Sequence, residues 1–163
     1  MLKLISVVLI FTAGLMVSRE YTLWHKNENR FTKGLISVFE YMAGEIVFEH
    51  KFLGETLKNA SQFGGCAKEY IEAIAENIIN KASAKEAFLT VKAQTDNMVY
   101  DILYEYFLQA GMYDAKTEKE KLENVIFKLK KADKEQEEYI KGTVNQNRKI
   151  IVATAVFVCV FMV

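Results

Sequence analysis

Arg148-Lys149-Ile150-Ile151-Val152-Ala153-Thr154-Ala155-Val156-Phe157-Val158-Cys159-Val160-Phe161-Met162-Val163 sets a basic pair against fourteen uncharged residues. A helix apolar on every face is unstable in water, so this run belongs either to a core or to lipid. Its helical rise of ~21 Å falls short of a hydrocarbon core of ~30 Å, which on length alone favours a buried helix or, given the Val and Ile content, a strand. The basic pair at its mouth and its place at the end of the sequence favour lipid, because Arg and Lys stems snorkel to the headgroups and lengthen the span. The favoured reading is a C-terminal membrane anchor over 150–163.

Working upstream, the anchor continues a longer helical pattern. Thr117-Glu118-Lys119-Glu120 fits a capping box and predicts its start. Leu122, Val125, Ile126, Leu129 and Ala132 then recur at helical spacing, and the stripe thins beyond Tyr139 and Ile140. The other end of the sequence mirrors this. Leu2 to Val17 is apolar apart from Lys3, Ser6 and Thr12, and Ser18-Arg19 closes it. No small-x-small pair precedes Arg19, so the stretch reads as an uncleaved anchor over 1–18 rather than a removed signal peptide. Lys3 and Arg19 flanking the first anchor, Arg148 and Lys149 leading into the second, and Trp24 nearby are the expected membrane-interface residues.

Charge position predicts the topology. Arg19, Lys26, Arg30, Lys141, Arg148 and Lys149 stand on the inner side of the two anchors and only Lys3 on the outer. Short cytoplasmic flanks hold the Lys and Arg excess, so the segment between the anchors is expected in the cytoplasm. The expected division is an anchor at 1–18, a juxtamembrane bridge at 19–30, a helical cytoplasmic domain at 31–149 and an anchor at 150–163.

The middle is large enough for one core, and the absence of proline with abundant Ala, Glu, Lys and Leu points to helices throughout. Six are expected. The first, about 31–50, carries Phe31, Leu35, Val38, Phe39, Met42 and Ile46. A short second holds Phe52, Leu53, Thr56, Leu57, Ala60 and Phe63 and stops at Gly64-Gly65. A third runs on Tyr70, Ile71, Ile74 and Ile78. Ser83-Ala84-Lys85-Glu86 is a capping box for a short fourth with Phe88, Leu89 and Val91. The fifth carries Val99, Ile102, Leu103, Tyr106 and Phe107 and ends at Gly111, a left-handed cap. The sixth is the long helix already described. The fold class is all-α, a six-helix up-and-down bundle between two transmembrane helices.

Candidate chemistry is sparse. A formal net charge of zero argues against nucleic acid as a partner. His25 and His50 are the two histidines, one in the bridge and one at a helix end, where a cation suits the dipole. Glu45 and Glu49 share a face near His50, but a carboxylate metal bundle needs two Glu-x-x-His pairs, and none is present. Gly64-Gly65 lacks the lysine and hydroxyl of a phosphate loop. Lys128, Lys130, Lys131 and Lys134 read as a solvated face. Tyr100, Tyr104, Tyr106 and Phe107 leave the fifth helix apolar around much of its girth, as a central helix or as one presenting an aromatic patch. Cys66 and Cys159 are too differently placed to pair. The expectation is a non-enzymatic protein with no cofactor, metal or small-molecule substrate.

Three strings resemble the stage III sporulation protein AB family of endospore-forming bacteria. They are the opening Met1-Leu2-Lys3-Leu4-Ile5, the stretch Glu45-Ile46-Val47-Phe48-Glu49-His50-Lys51-Phe52-Leu53, and Ala110-Gly111-Met112-Tyr113-Asp114 followed by Glu118. Phe52 stands where that family has proline, Ala110 where it has leucine, and Glu118 where it has glutamine. The resemblance implies a domain similar to the cytoplasmic domain of type II secretion F proteins, in the mother-cell membrane facing the forespore. It implies as partners the secretion-type ATPase of the same operon and the other proteins of the mother-cell to forespore channel. Glu45, Glu49, Asp114 and Glu118 are then the candidate docking residues. The alternative from another class is an extracytoplasmic helical sensor or other membrane-anchored interaction module.

Overall fold

The computed structural model describes residues 2–45, 52–80, 82–91 and 95–162, with the side chains of 2–6 and 162 left aside. Among these the chain is helical with no strand: α1 (Leu2–Glu45), α2 (Leu53–Ser61), α3 (Lys68–Ile79), α4 (Ala84–Thr90), α5 (Asn97–Phe107), α6 (Ala115–Tyr139) and α7 (Asn145–Met162). A 3-10 turn, Gly65–Ala67, precedes α3, and a π-helical turn, Ile140–Val144, joins α6 to α7. The chain forms two compact units, Glu28–Lys134 and the pair Met1–Asn27 with Glu135–Val163.

Six helices, α1 to α6, contribute to the Glu28–Lys134 unit. Helical spacing brings their apolar stripes into one core of Leu35, Phe39, Met42, Leu57, Ile71, Ile74, Phe88, Leu103, Leu122 and Leu129, all fully buried. Each large member contributes roughly 1.5 to 3 kcal/mol of burial. Aromatic contacts lock it, with Phe39 edge-on to Tyr106 at 5.2 Å, and Phe88 tilted against Tyr100 at 5.3 Å and stacked on Phe107 at 5.2 Å. Phe88 thus draws the aromatic face of α5 inward, and Tyr104 is left at the surface. Close approach needs glycine at Gly34, where a Cβ would lie 1.9 Å from the Gly64 carbonyl oxygen.

Several boundaries differ from the expectation. The 19–30 segment is part of α1, whose polar residues are accommodated because Thr22 and Thr32 hydroxyls donate to carbonyls one turn back. Phe52 and Phe63, expected on the second helix, flank α2 and are exposed. Leu89 is exposed too. Ile46 lies outside the described residues. The Ser83 box is formed, with its hydroxyl accepting from the Glu86 amide at 3.2 Å and the Glu86 carboxylate accepting from the Ser83 amide at 3.1 Å. Gly111 has a φ of +78°, as a left-handed cap requires. The long helix starts earlier than Thr117. Asp114 precedes its first residue and its backbone carbonyl accepts from the Glu118 amide at 2.9 Å.

In the second unit the first part of α1 lies beside α7 in antiparallel register. The Cys159 thiol donates to the Val7 carbonyl at 3.5 Å, and the Asn147 side-chain amide donates to the Tyr21 hydroxyl at 3.0 Å. Between them the helices touch at Gly14, where an added Cβ would stand 2.6 Å from the Ala155 Cβ. The π turn places one extra residue in its cycle, and Val144 then turns fully inward. The outer faces stay apolar and exposed, at 69% for Met16 and 76% for Phe161. Two helices, Val7–Glu45 and Ala115–Phe161, are long and apolar enough to cross a membrane, and few residues of their apolar windows are buried. The terminal run is therefore neither a strand nor a core helix.

Candidate functional site

Two places gather the residues that the sequence marks. The first is the turn from α5 to α6. Gly111 reverses the chain, and Glu118 then points back beneath the turn. Its carboxylate is 5% exposed and accepts from the Tyr106 hydroxyl at 3.1 Å and from the Gly111 amide at 3.4 Å. Burial, and then the adjacent carboxylate, holds the Tyr106 phenol well above its usual pKa, so it stays a donor. Glu118 therefore acts inside the bundle, tying α5 to α6, and offers no outward carboxylate.

Asp114 faces solvent and caps α6. Hydrogen bonds from the Thr117 hydroxyl and from the Thr117 and Lys116 amides hold its carboxyl below the usual range. Beside it Lys121 sits 3.3 Å above the Tyr113 ring and donates to Gln109 at 2.6 Å. Glu45 is the last residue of α1 and is half-buried. Glu49 and His50 lie outside the described residues.

The two internal strings that carried the resemblance meet here. Leu53, at the end of one, has its Cδ2 3.6 Å from where a Cβ on Gly111 of the other would stand. Around that meeting point Phe52 is 82% exposed and Met112 74%, with Tyr113 also exposed. Sequence periodicity placed Phe52 on the second helix and passed over Met112 and Tyr113, because all three sit in connections. The available signal was the presence of large apolar side chains in stretches otherwise rich in turn residues.

The second place is the mouth of the helix pair. Arg19, Trp24, Arg148 and Lys149 are all exposed there, while Lys3 lies in α1 with its side chain outside those described. Trp24 packs edge-on against His25 at 4.7 Å, and His25 also meets Tyr21 at 4.9 Å and Tyr139 at 5.4 Å. An aromatic girdle of this kind suits the depth of lipid headgroups.

Elsewhere the lysine group of α6 is engaged at the surface. Lys128 pairs with Glu105 at 2.6 Å and Lys130 with Glu40 at 2.7 Å, contacts worth well under about 1 kcal/mol each. Among the described residues no group of His, Cys, Asp and Glu could hold a metal ion. The geometry that gathers the residues marked by the sequence is that of surfaces.

Comparison with curated proteins and with solved structures returns no match. One family model does match, that of stage III sporulation protein AB, and it spans residues 3–163. With its helical bundle, its paired apolar helices and a match along essentially the whole chain, this protein belongs to the stage III sporulation protein AB family.

Proposed function

We propose that this sporulation protein is a non-enzymatic membrane platform of a secretion-like channel between mother cell and forespore. In this reading the α1–α7 pair anchors it in the mother-cell membrane, and the Glu28–Lys134 bundle lies in the cytoplasm, where it docks a secretion-type ATPase. The observation that carries the reading is the approach of Leu53 in one string to Gly111 in the other, with Phe52 next to the first in sequence and Met112, Tyr113 and Asp114 next to the second, all four exposed. An apolar centre rimmed by charge is the usual composition of a protein-binding patch. Glu45 and Glu49 belong in sequence to the first of those strings and are proposed, with Asp114, as acidic contacts for the same partner. The basic flanks of the two anchors support the cytoplasmic placement.

Cysteine labelling in intact sporulating cells tests the placement, using Asn59→Cys in a Cys66→Ser, Cys159→Ser background. The expected result is protection from an impermeant reagent until the cells are opened. Labelling from outside would overturn it and favour an extracytoplasmic sensor. Docking is tested by pull-down of the ATPase with Met112→Ser, Tyr113→Ser and with Asp114→Asn, which keeps a capping oxygen while removing charge. Loss of association by at least about tenfold is expected for the first pair, as for an interface centre. Unchanged association would remove the corner from consideration.

A further inference from the structure

The α1–α7 pair carries a feature that anchoring alone does not need. Two grooves adjoin at the start of α7 and share Arg148 and Val152. One, of about 270 Å3, lies between α1 and α7 and includes Leu15, Arg19, Leu23 and Lys26. The other, of about 620 Å3, adds Lys141, Lys149 and Ala153. Five cations thus border the two grooves, and no carboxylate lines either. Among the described residues Arg19, Lys26, Arg148 and Lys149 form no salt bridge, while Lys141 reaches Glu137 at 3.3 Å. The nearly buried Ser18 and Thr22 put hydroxyl-bearing side chains in the wall, the Thr22 hydroxyl donating to the Ser18 carbonyl at 2.9 Å.

The polarity is ordered along the helices. Leu15, Val152 and Ala153 lie toward the apolar ends of α1 and α7, whereas Lys26 and Lys141 lie toward the polar ends. A free anion would use only the basic half. A zwitterionic headgroup would bring an ammonium to a site with no acid to receive it.

We propose that these grooves form a binding site for one anionic glycerophospholipid, whose phosphodiester is held by Arg19 and Arg148 and whose acyl chain lies along Leu15 and Val152. Lys26 and Lys149 add to the field on the headgroup side. The chemistry is that of guanidinium forks on phosphate oxygens beside an apolar track. The site rests on the reading of the α1–α7 pair as membrane-inserted.

The test uses the full chain in phosphatidylcholine vesicles and its single tryptophan, Trp24, which neighbours the groove residues Leu23 and Lys26. Phosphatidylglycerol bearing a nitroxide high on its acyl chain is compared with the same label on phosphatidylcholine. Quenching by labelled phosphatidylglycerol is expected at roughly five- to tenfold lower mole fraction. Arg19→Gln with Arg148→Gln should bring the two lipids to parity while the protein stays resistant to alkaline extraction. Arg148→Lys should keep part of the preference.

Equal quenching by both lipids in the unaltered protein overturns the site but leaves insertion standing. No quenching by either lipid, with release at alkaline pH, overturns insertion itself and the site with it. Loss of the preference on adding millimolar inorganic phosphate at constant ionic strength would assign the grooves to free phosphate. A preference retained by the double variant would assign it to general surface charge.

Discussion

A buried carboxylate such as Glu118 is held by what surrounds it. One oxygen receives the Tyr106 hydroxyl and the Gly111 amide, and the other is buried without a partner among the described residues. Glu118→Gln retains a carbonyl acceptor for both donors but sets an amide nitrogen at the buried, unpartnered position. Its urea midpoint should fall, by less than that of Glu118→Ala. Glu118→Ala strands a buried phenol and should cost about 1 to 3 kcal/mol, read as a lower urea midpoint at unchanged slope. Glycines give a sharper contrast. Gly34→Ala would force a methyl to within 1.9 Å of the Gly64 oxygen, so backbone must move, at about 1 to 3 kcal/mol. Among the described residues nothing lies within 4 Å of a Cβ added at Gly44, and Gly44→Ala, near the end of the same helix, should be neutral or stabilise by up to roughly 0.5 kcal/mol through helix propensity. If the two alanine variants lower the urea midpoint alike, the close approach of Gly34 to Gly64 is not what that glycine serves.

Helix identity followed from periodicity because each of Leu35, Phe39, Leu103 and Leu129 reports a face, and faces survive errors of a few residues in where a helix starts. Boundaries were less legible, since they depend on single polar contacts. Thr117 with Glu120 reads as a start, yet the helix begins just after Asp114, whose carboxyl accepts from the Thr117 hydroxyl, and tertiary packing of Glu118 under Gly111 favours that earlier start. The π turn had no sequence signal beyond Gly142, which has open space around it. The proposed docking corner was half legible, since acidic residues were visible in the strings but the inward turn of Glu118 and the outward one of Phe52 arise only in three dimensions. The caps carry a pH dependence. Glu86 is lowered chiefly by the Ser83 amide and hydroxyl, and Asp114 chiefly by the Thr117 hydroxyl. With folded values below the ordinary 4.5 and 3.8, their contribution is complete above those values and is lost as pH falls through the lowered ones. The starts of α4 and α6 should fray first in acid, seen as accelerated amide exchange at Glu86 and Thr117. Ser83→Ala should shift α4 alone, at about 1 kcal/mol. For the helix pair, Val7→Cys in a Cys66→Ser background should form a disulfide with Cys159 on mild oxidation, as the thiol already lies 3.5 Å from the Val7 carbonyl. Adding Gly14→Leu should abolish that cross-link, because the helices cannot then close at Ala155. A cross-link that survives would show the pair held by other contacts.

At the scale of the whole molecule, the two units bury apolar surface by different means. Every residue of the hydrophobic core, from Phe31 to Ala132, falls inside Glu28–Lys134. The other unit buries little of itself and leaves Leu9, Met16, Val160 and Phe161 exposed, an arrangement that suits lipid as solvent. A chain organised in this way should divide at its unit boundary. Residues 28–134 expressed alone should be helical, monomeric and water-soluble, and should unfold in one cooperative step, because their core is complete without the helix pair. The cut exposes backbone amides at residue 28 and carbonyls at residue 134, which lie within helices in the full chain, so some fraying at both new ends is expected. Asn29 and Asp133, joined by a 2.7 Å hydrogen bond, hold those ends together, and Lys33 adds an ion pair to Asp133 at 3.9 Å. Asn29→Ala should therefore lower the melting temperature more in the excised bundle than in the full chain, where both helices continue past the contact. A non-cooperative or aggregating fragment would mean that the core depends on the helix pair, and the protein would then have to be treated as one folding unit assembled at the membrane.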